Sequence, residues 1–417
     1  MRVLFAARHS LPHLLAMAPA ALACAAAGHE VRIAAPVPTG GLFTHGGLPA
    51  VLGALPVLPP EPGWRPDVAV HAASGDGPGA WPAGARAALS GDAARHSGAH
   101  PGHHAGERSG GRSAPWPPPR PVPWPGGASG PRPGGPRSGA PCGDAAGPWG
   151  GGQVVHWSAL DHRDPARAAA DGAGLWVDPC PPALRGDAEA GAFAVRHEDV
   201  PVVRPPGWLE QPPAGPRVCL RPGPDQGPGV WSAARVRQVA RAVRELDAEL
   251  VAVVAPYRRH AYRQALGRGV RFAGPLLLGP VLATCAGVVH DGGPDVTLAA
   301  AAHGVPQLVL TGTRPAGDRL ARVGAGRRLV AATPADARDM ADALRLRRHL
   351  AELLHGGRAL AAAERLRTRI AALPPPSALV GLLEDVAGGE PGRRPHPERH
   401  RTGPTQLQRH EEGERGT

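Results

Sequence analysis

The segment VVHDGGPDVTLAAAAHGVPQLVL, residues 288–310, runs from an apolar stretch into a histidine, an aspartate and two glycines before a helix-forming run begins. Glycines let a backbone approach a ligand closely, and a helix start offers free N–H groups and a positive dipole end to an anion. His290, Asp291, Gly292 and Gly293, with Asp295, Val296 and Thr297 at the head of the helix, therefore read as a phosphate cradle. The plain alternative is an ordinary strand–turn–helix junction. A second candidate lies near the start, where RHSLPH sets His9 and His13 at the turn between a strand and a helix. A histidine titrates near neutrality and can take a proton from a hydroxyl, although a polar helix cap would look the same. His96, His100, His103 and His104 have the count of a metal cluster, but they sit in a biased stretch and read as compositional. No metal site is expected.

These residues need elements to hold them. RVLFAA at 2–7 is a short apolar run without alternation, the pattern of a buried parallel strand. HLLAMAPAALACAAAG at 13–28 reads as a helix closed by Gly28, and HEVRIAA at 29–35 as the next strand, which together make a βαβ unit. Further strands are expected at Ala50–Leu52 and over 65–71. A second α/β pattern opens at PRVCLRPG (216–223). It continues through a helix at 232–246 capped by Ser232, strands at 248–255 and 269–275, a short helix at 279–287 and the cradle itself. After the strand VPQLVLTG, the segments DRLARVGAGRRLV and PADARDMADALRLRRHLAELL are expected to be rich in helix, and two more helices cover 357–373 and 376–388. The pattern predicts an α/β protein with two Rossmann-like domains facing across a cleft, and ligands at the carboxyl ends of the strands.

Composition sets bounds on this reading. The chain has 417 residues, 42% hydrophobic but only 4% aromatic, so its core is mainly Ala, Val and Leu. Gly 58 and Pro 52 make about a quarter of the chain. They concentrate at 82–150, a stretch with almost no Val, Ile, Leu or Phe, which cannot bury enough apolar surface to offset chain entropy. It reads as a disordered insertion or as GC-rich coding sequence translated in a shifted frame. The formal charge of +11 comes from arginine alone, for the sequence contains no lysine and no asparagine. A GC-rich gene explains that bias, and basic residues are not interleaved with aromatic ones, so no nucleic-acid partner is expected. The cysteines Cys24, Cys142, Cys180, Cys219 and Cys285 are scattered, without a CxxC pair, which suits a reducing cytoplasm. No signal peptide or membrane span is expected, because the apolar run at 14–27 is too short to cross a bilayer.

Several segments carry a resemblance. MRVLFA followed by HLLAMAPAALACAAAGHEVRIAA, the pieces VDPCPPALR and VVRPPGWL, and the block VRFAGPLLLGPVLATCAGVVHDGG with AAHGVPQLVL are similar to the inverting GT-B glycosyltransferases. The likeness is to the actinomycete enzymes that attach deoxysugars to polyketide and related antibiotics. It covers about 1–71, 150–215 and 216–388.

The resemblance implies an N-terminal acceptor-binding domain over 1–205, a linker over 206–215, a C-terminal nucleotide-sugar-binding domain over 216–388 and a disordered tail over 389–417. It implies a sugar, a deoxysugar from a dTDP donor, moved with inversion to a hydroxyl of a small-molecule aglycone, without cofactor or metal. It selects His13 over His9 as the general base, six residues before Pro19, and gives His290 the diphosphate. The orienting partner of His13 would come from the middle of the first domain, where Asp92 and Asp144 lack strand context. An activator protein or a homodimer is left open as a partner.

The sequence also departs from the pattern. The two glycines are followed by Pro294, Asp295 and Val296, with Thr297 one place late, and Asp295 puts a negative charge where a phosphate should lie. As a helix N-cap it would also consume N–H groups the phosphate needs. Arg221 and Pro222 stand where a small or hydroxylated turn is favoured, and Thr311–Pro315 lacks the Asp-Gln pair expected for sugar hydroxyls. A catalytically inactive homologue, kept for binding or scaffolding or left as a damaged gene product, is the alternative. A nucleotide-sugar epimerase is disfavoured because no acid/base set surrounds a sugar.

Overall fold

The first strand, β1 (Arg2–Ala6), is buried from Val3 onward, as an unalternating apolar run requires when both faces of a sheet are covered. This computed structural model describes residues 1–6, 11–34, 66–72, 153–157, 175–185, 192–200, 205–223, 231–310, 316–330 and 340–388. The strand expected at Ala50–Leu52, the stretch 82–150, His9, residues 311–315 and the tail 389–417 lie outside them. In the first lobe β2 (Glu30–Ala34), β3 (Val68–Ala72), β4 (Gln153–Trp157), β5 (Leu175–Asp178) and β6 (Phe193–Ala194) join β1 in a parallel sheet of order β2-β1-β3-β4-β5-β6.

Helix α1 (Leu11–Ala26) follows β1 and ends at Gly28, whose φ of 86° is the left-handed turn that closes a helix at little cost only with glycine. It begins at Leu11, earlier than the 13–28 that the sequence pattern suggests, so His13 sits within its first turn rather than at its first residue. Met17, Ala18, Ala20, Ala21 and Cys24 are fully buried. A helix apolar on most of its circumference must be covered on more than one side. Here α1 packs on β1 and β2, and it also touches two helices whose sequence lies in the second half of the chain.

The second lobe is a parallel sheet of order β12-β11-β10-β7-β8-β9. Its strands are β7 (Arg217–Arg221), β8 (Glu249–Val253), β9 (Arg271–Ala273), β10 (Gly287–His290), β11 (Gln307–Leu310) and β12 (Gly326–Leu329). The helices are α2 (Ala233–Arg244), α3 (Arg259–Leu266), α4 (Leu278–Leu282), α5 (Pro294–Ala302), α6 (Ala316–Val323), α7 (Met340–His355), α8 (Gly357–Ala371) and α9 (Ala378–Gly388). Ser232 caps α2 as its residue type suggests, its hydroxyl accepting from the Arg235 N–H at 3.2 Å. The stretch GRRLV, expected as helix, instead contributes edge strand β12. Two arginines hide its alternation, and they are the kind of charged residue that keeps an exposed sheet edge from pairing further.

The lobes share more than the chain between them. Helix α9 ends the described second half, yet Leu379, Leu382, Leu383 and Val386 lie in the same core as Val3, Phe5, Leu14 and Ile33 of the first sheet. In return Cys180 and Leu184, just after β5, lie in a core with Leu298, Val309, Leu320 and Leu366 of the second lobe. The expected linker is likewise anchored, with the Trp208 ring facing the guanidinium groups of Arg217 and Arg271 at 5.5 and 5.3 Å.

Candidate functional site

In the second sheet the strand order reverses between β7 and β10, which pair in parallel with Arg221 opposite His290. Crevices at such reversals are where open α/β sheets bind ligands. Three turns converge on the carboxyl ends of these strands: 221–223 after β7, 256–262 after β8 and 290–295 after β10. In the first sheet β1 is flanked by β2 and β3, so its end, which leads to His13, is the corresponding reversal.

His290 is fully buried, and its Nδ1 accepts the Gly292 N–H at 3.1 Å. Gly292 has φ 82°, a conformation that glycine alone adopts without strain. Asp291 turns back over the same loop. Its Oδ1 accepts the Gly293 N–H at 3.2 Å, and its carboxylate rests on Gly223, where any side-chain carbon would collide with it. The turn is therefore closed by its own side chains, and both glycine N–H groups that a phosphate would use are engaged within the chain.

Asp295 does not cap the helix. The N-cap of α5 is Gly293, with no side-chain cap, and Pro294 follows at the first helical position. The Asp295 carboxylate instead pairs with Arg221, Oδ2 to Nη2 at 3.1 Å, and its Oδ1 lies 2.9 Å from where a Cβ on Gly293 would stand. The two departures read from the sequence are thus partners. Arg221 is itself buried, and its Nη1 donates to the Pro222 carbonyl at 2.7 Å. Val296 and Thr297, placed in the site by sequence, are sunk into the packed side of α5. The Thr297 carbonyl accepts from Gln307 Nε2 at 3.1 Å, a buried strut between α5 and β11.

Residues the sequence reading missed complete the wall. Arg258 Nη1 donates to the Gly223 carbonyl at 3.0 Å, and its guanidinium lies 5.4 Å from the Tyr262 ring centroid. Burial pushes the Tyr262 hydroxyl to a higher pKa, opposed by the charges of Arg258 and Arg221 and aided by Asp291. No sequence motif announces Arg258, for the chain is rich in arginine throughout. Only the position of its turn beside the sheet reversal could have marked it.

His13 lies in the first turn of α1, in the other lobe. Its helix α1 touches α5, and Leu15 and Ala16 line a cavity of about 40 Å³ together with Asp295 and Ala299 of α5 and Asp199 of the first lobe. The structure thus brings the helix of His13 and the head of α5 to opposite walls of one space. Asp92 and Asp144, considered as partners of His13, lie outside the described residues. Among the described residues no three His, Cys, Asp or Glu side chains are grouped as metal ligands, and no helix is long and apolar enough to cross a membrane.

Two lobes of parallel sheet, each with its reversal facing a shared cleft, define a GT-B fold. Solved structures agree on the fold. The spinosyn rhamnosyltransferase SpnG is 22% identical with TM-score 0.61, covering 92% of this chain and 100% of that one. The spinosyn forosaminyltransferase SpnP is 21% identical with TM-score 0.59, covering 93% and 100%. Residues 237–386 match the family described as erythromycin biosynthesis protein CIII-like, C-terminal domain. The chain is 31% identical to the 3-alpha-mycarosylerythronolide B desosaminyl transferase of Saccharopolyspora erythraea, over 56% of this chain and 55% of that protein. It is 33% identical to the TDP-daunosamine transferase of Streptomyces peucetius, over 56% and 58%. The matches span little more than half the length of these relatives. Over the matched part the chain is similar to glycosyltransferases of actinomycete antibiotic biosynthesis, the likeness its sequence motifs implied.

Proposed function

We propose that this chain transfers a sugar from a nucleoside diphosphate, a dTDP-deoxysugar, to a hydroxyl of a small aglycone with inversion at the anomeric carbon. The observation that carries the reading is the facing pair of sheet reversals, with His13 on the helix after one and His290, the glycine turn and two arginines at the other. Relatives named as desosaminyl and TDP-daunosamine transferases support the donor class. In this scheme His13 takes the proton of the acceptor hydroxyl as its oxygen bonds to the anomeric carbon. The bond from that carbon to the diphosphate breaks on the opposite face. The growing negative charge on the leaving diphosphate is met by His290, the N-terminal end of α5 and the arginines beside it.

The test is a calorimetric titration of the protein with dTDP and UDP, alongside His290→Ala. Saturable binding of dTDP that the variant loses supports the reading. A folded protein that binds neither nucleotide overturns it. One observation favours the alternative of an inactive homologue: His290 and Asp291 already hold the Gly292 and Gly293 N–H groups. That alternative expects no turnover with any dTDP-sugar, and loss of turnover in His13→Ala would exclude it.

A further inference from the structure

The Arg221–Asp295 pair sits where the sheet order reverses, on the lip of the glycine turn, and the polar atoms around it are under-used. Arg221 is 7% exposed. Its Nη1 and Nη2 are bonded, while its Nε is buried and has no hydrogen-bond partner among the described residues. The hydroxyl of the buried Tyr262, which stands beside Arg258, also lacks a hydrogen-bond partner there. Buried polar atoms without partners are uncommon, and clustered in a crevice they point to a ligand that would bond them. The charges point to its sign. Arg221 and Arg258 approach the crevice from adjacent strand ends, and what faces Arg221 is a carboxylate whose second oxygen lies against Gly293. An anion already occupies the place beside the glycine turn, and the chain itself provides it.

We propose that Arg221 is the cation that grips the donor's diphosphate in this chain, and that Asp295 is an internal stand-in for that phosphate, displaced from Arg221 when the donor binds. The inference rests on the nucleotide-sugar reading of the second lobe. A guanidinium binds phosphate through paired N–H donors, which suits it to exchange one oxyanion for another. The pair also gives Asp295 a role its position alone would not predict. It neutralises Arg221 in the empty protein and competes with weakly bound anions, so that only a ligand bringing more charge and further contacts opens the crevice.

The experiment titrates inorganic pyrophosphate, dTDP, UDP and thymidine into wild type, Arg221→Gln, Asp295→Asn and the double variant, with thermal melting of each. Expected are a loss of at least tenfold in pyrophosphate and dTDP affinity in Arg221→Gln, and a gain of several-fold in Asp295→Asn. Thymidine, which has no phosphate, should be unchanged throughout. Arg221→Gln leaves a carboxylate without its partner, so the double variant decides if that protein does not fold. It should melt near wild type and bind pyrophosphate as weakly as Arg221→Gln. Wild-type pyrophosphate and dTDP affinity in the double variant, or weaker binding in Asp295→Asn, overturns the proposal. Pyrophosphate binding that depends on Arg221, without binding of dTDP or UDP, overturns the nucleotide reading but leaves the anion site. No binding of pyrophosphate or dTDP by wild type overturns both.

Discussion

Asp199 Oδ2 lies 2.6 Å from His303 Nε2, joining the segment that leaves β6 in the first lobe to the end of α5 in the second. His197 Nε2 stands 3.8 Å from the other oxygen, and the carboxylate rests on Gly279, where a side chain would displace it. The bridge spans the lobes beside the cavity that α1 and α5 share.

Burial alone would raise the Asp199 pKa. Hydrogen bonds and charge from His197 and His303 outweigh it and hold the carboxylate well below its usual range. A carboxylate with a depressed folded pKa stabilises the protein above its unfolded value of 3.8, and the contribution is lost as pH falls below that. Asp199→Asn is therefore expected to lower stability by about 1–2 kcal/mol at pH 7, a figure reduced for partial solvent exposure. The difference from wild type should shrink as urea unfolding is repeated below pH 4.

A second acid-sensitive group acts in a different window. His156 on β4 is buried and stacked on Trp176, ring centroids 4.7 Å apart, and burial lowers its pKa to about 4. The unfolded chain takes up this proton near pH 6.5, while the folded chain resists until about 4. Its contribution is thus full above pH 6.5 and declines by up to about 3 kcal/mol as pH falls to 4. Replacement by Phe should flatten that part of the profile, and urea unfolding at pH 7.5, 5.5 and 4 measures it.

Helix α9 belongs to the first lobe's core despite its place at the end of the described chain. Leu383→Ala should cost about 2–5 kcal/mol, as for other buried leucines. Truncation before Ser377 would uncover β1 and α1 as well. Limited proteolysis should then cut first within residues 1–34, whereas a helix that served only the second lobe would leave that region protected.

Arg217 is almost fully buried at the start of β7. It pairs with Glu249 at 2.9 Å and donates to Thr284 Oγ1 at 2.6 Å, and Arg271 takes the other Glu249 oxygen at 2.5 Å. Removing one member of such a group leaves a buried charge uncompensated. Glu249→Ala should destabilise by about 3–5 kcal/mol in chemical unfolding, and Glu249→Gln by less, because it keeps the acceptor.

Much of the architecture was legible in the chain. Unalternating runs such as RVLFA and ELVAV announce strands covered on both faces, and Ser232 and Gly28 mark helix ends, because these signals are local. The glycine turn was legible for the same reason: only glycine adopts the conformation of Gly292. β12 was not, since its two arginines erase the apolar pattern that a central strand must show. Sequence also set Asp295 against a phosphate and Arg221 out of place, each judged alone. Only the tertiary structure, by laying β7 beside β10, brings residues 221 and 295 within 3.1 Å and makes them one neutral pair. The same holds for α9, whose apolar face says that it must be buried but not against which sheet. A residue's neighbours in the chain fix its backbone preferences, but its partners across a parallel sheet are set by strand order, which no local pattern encodes.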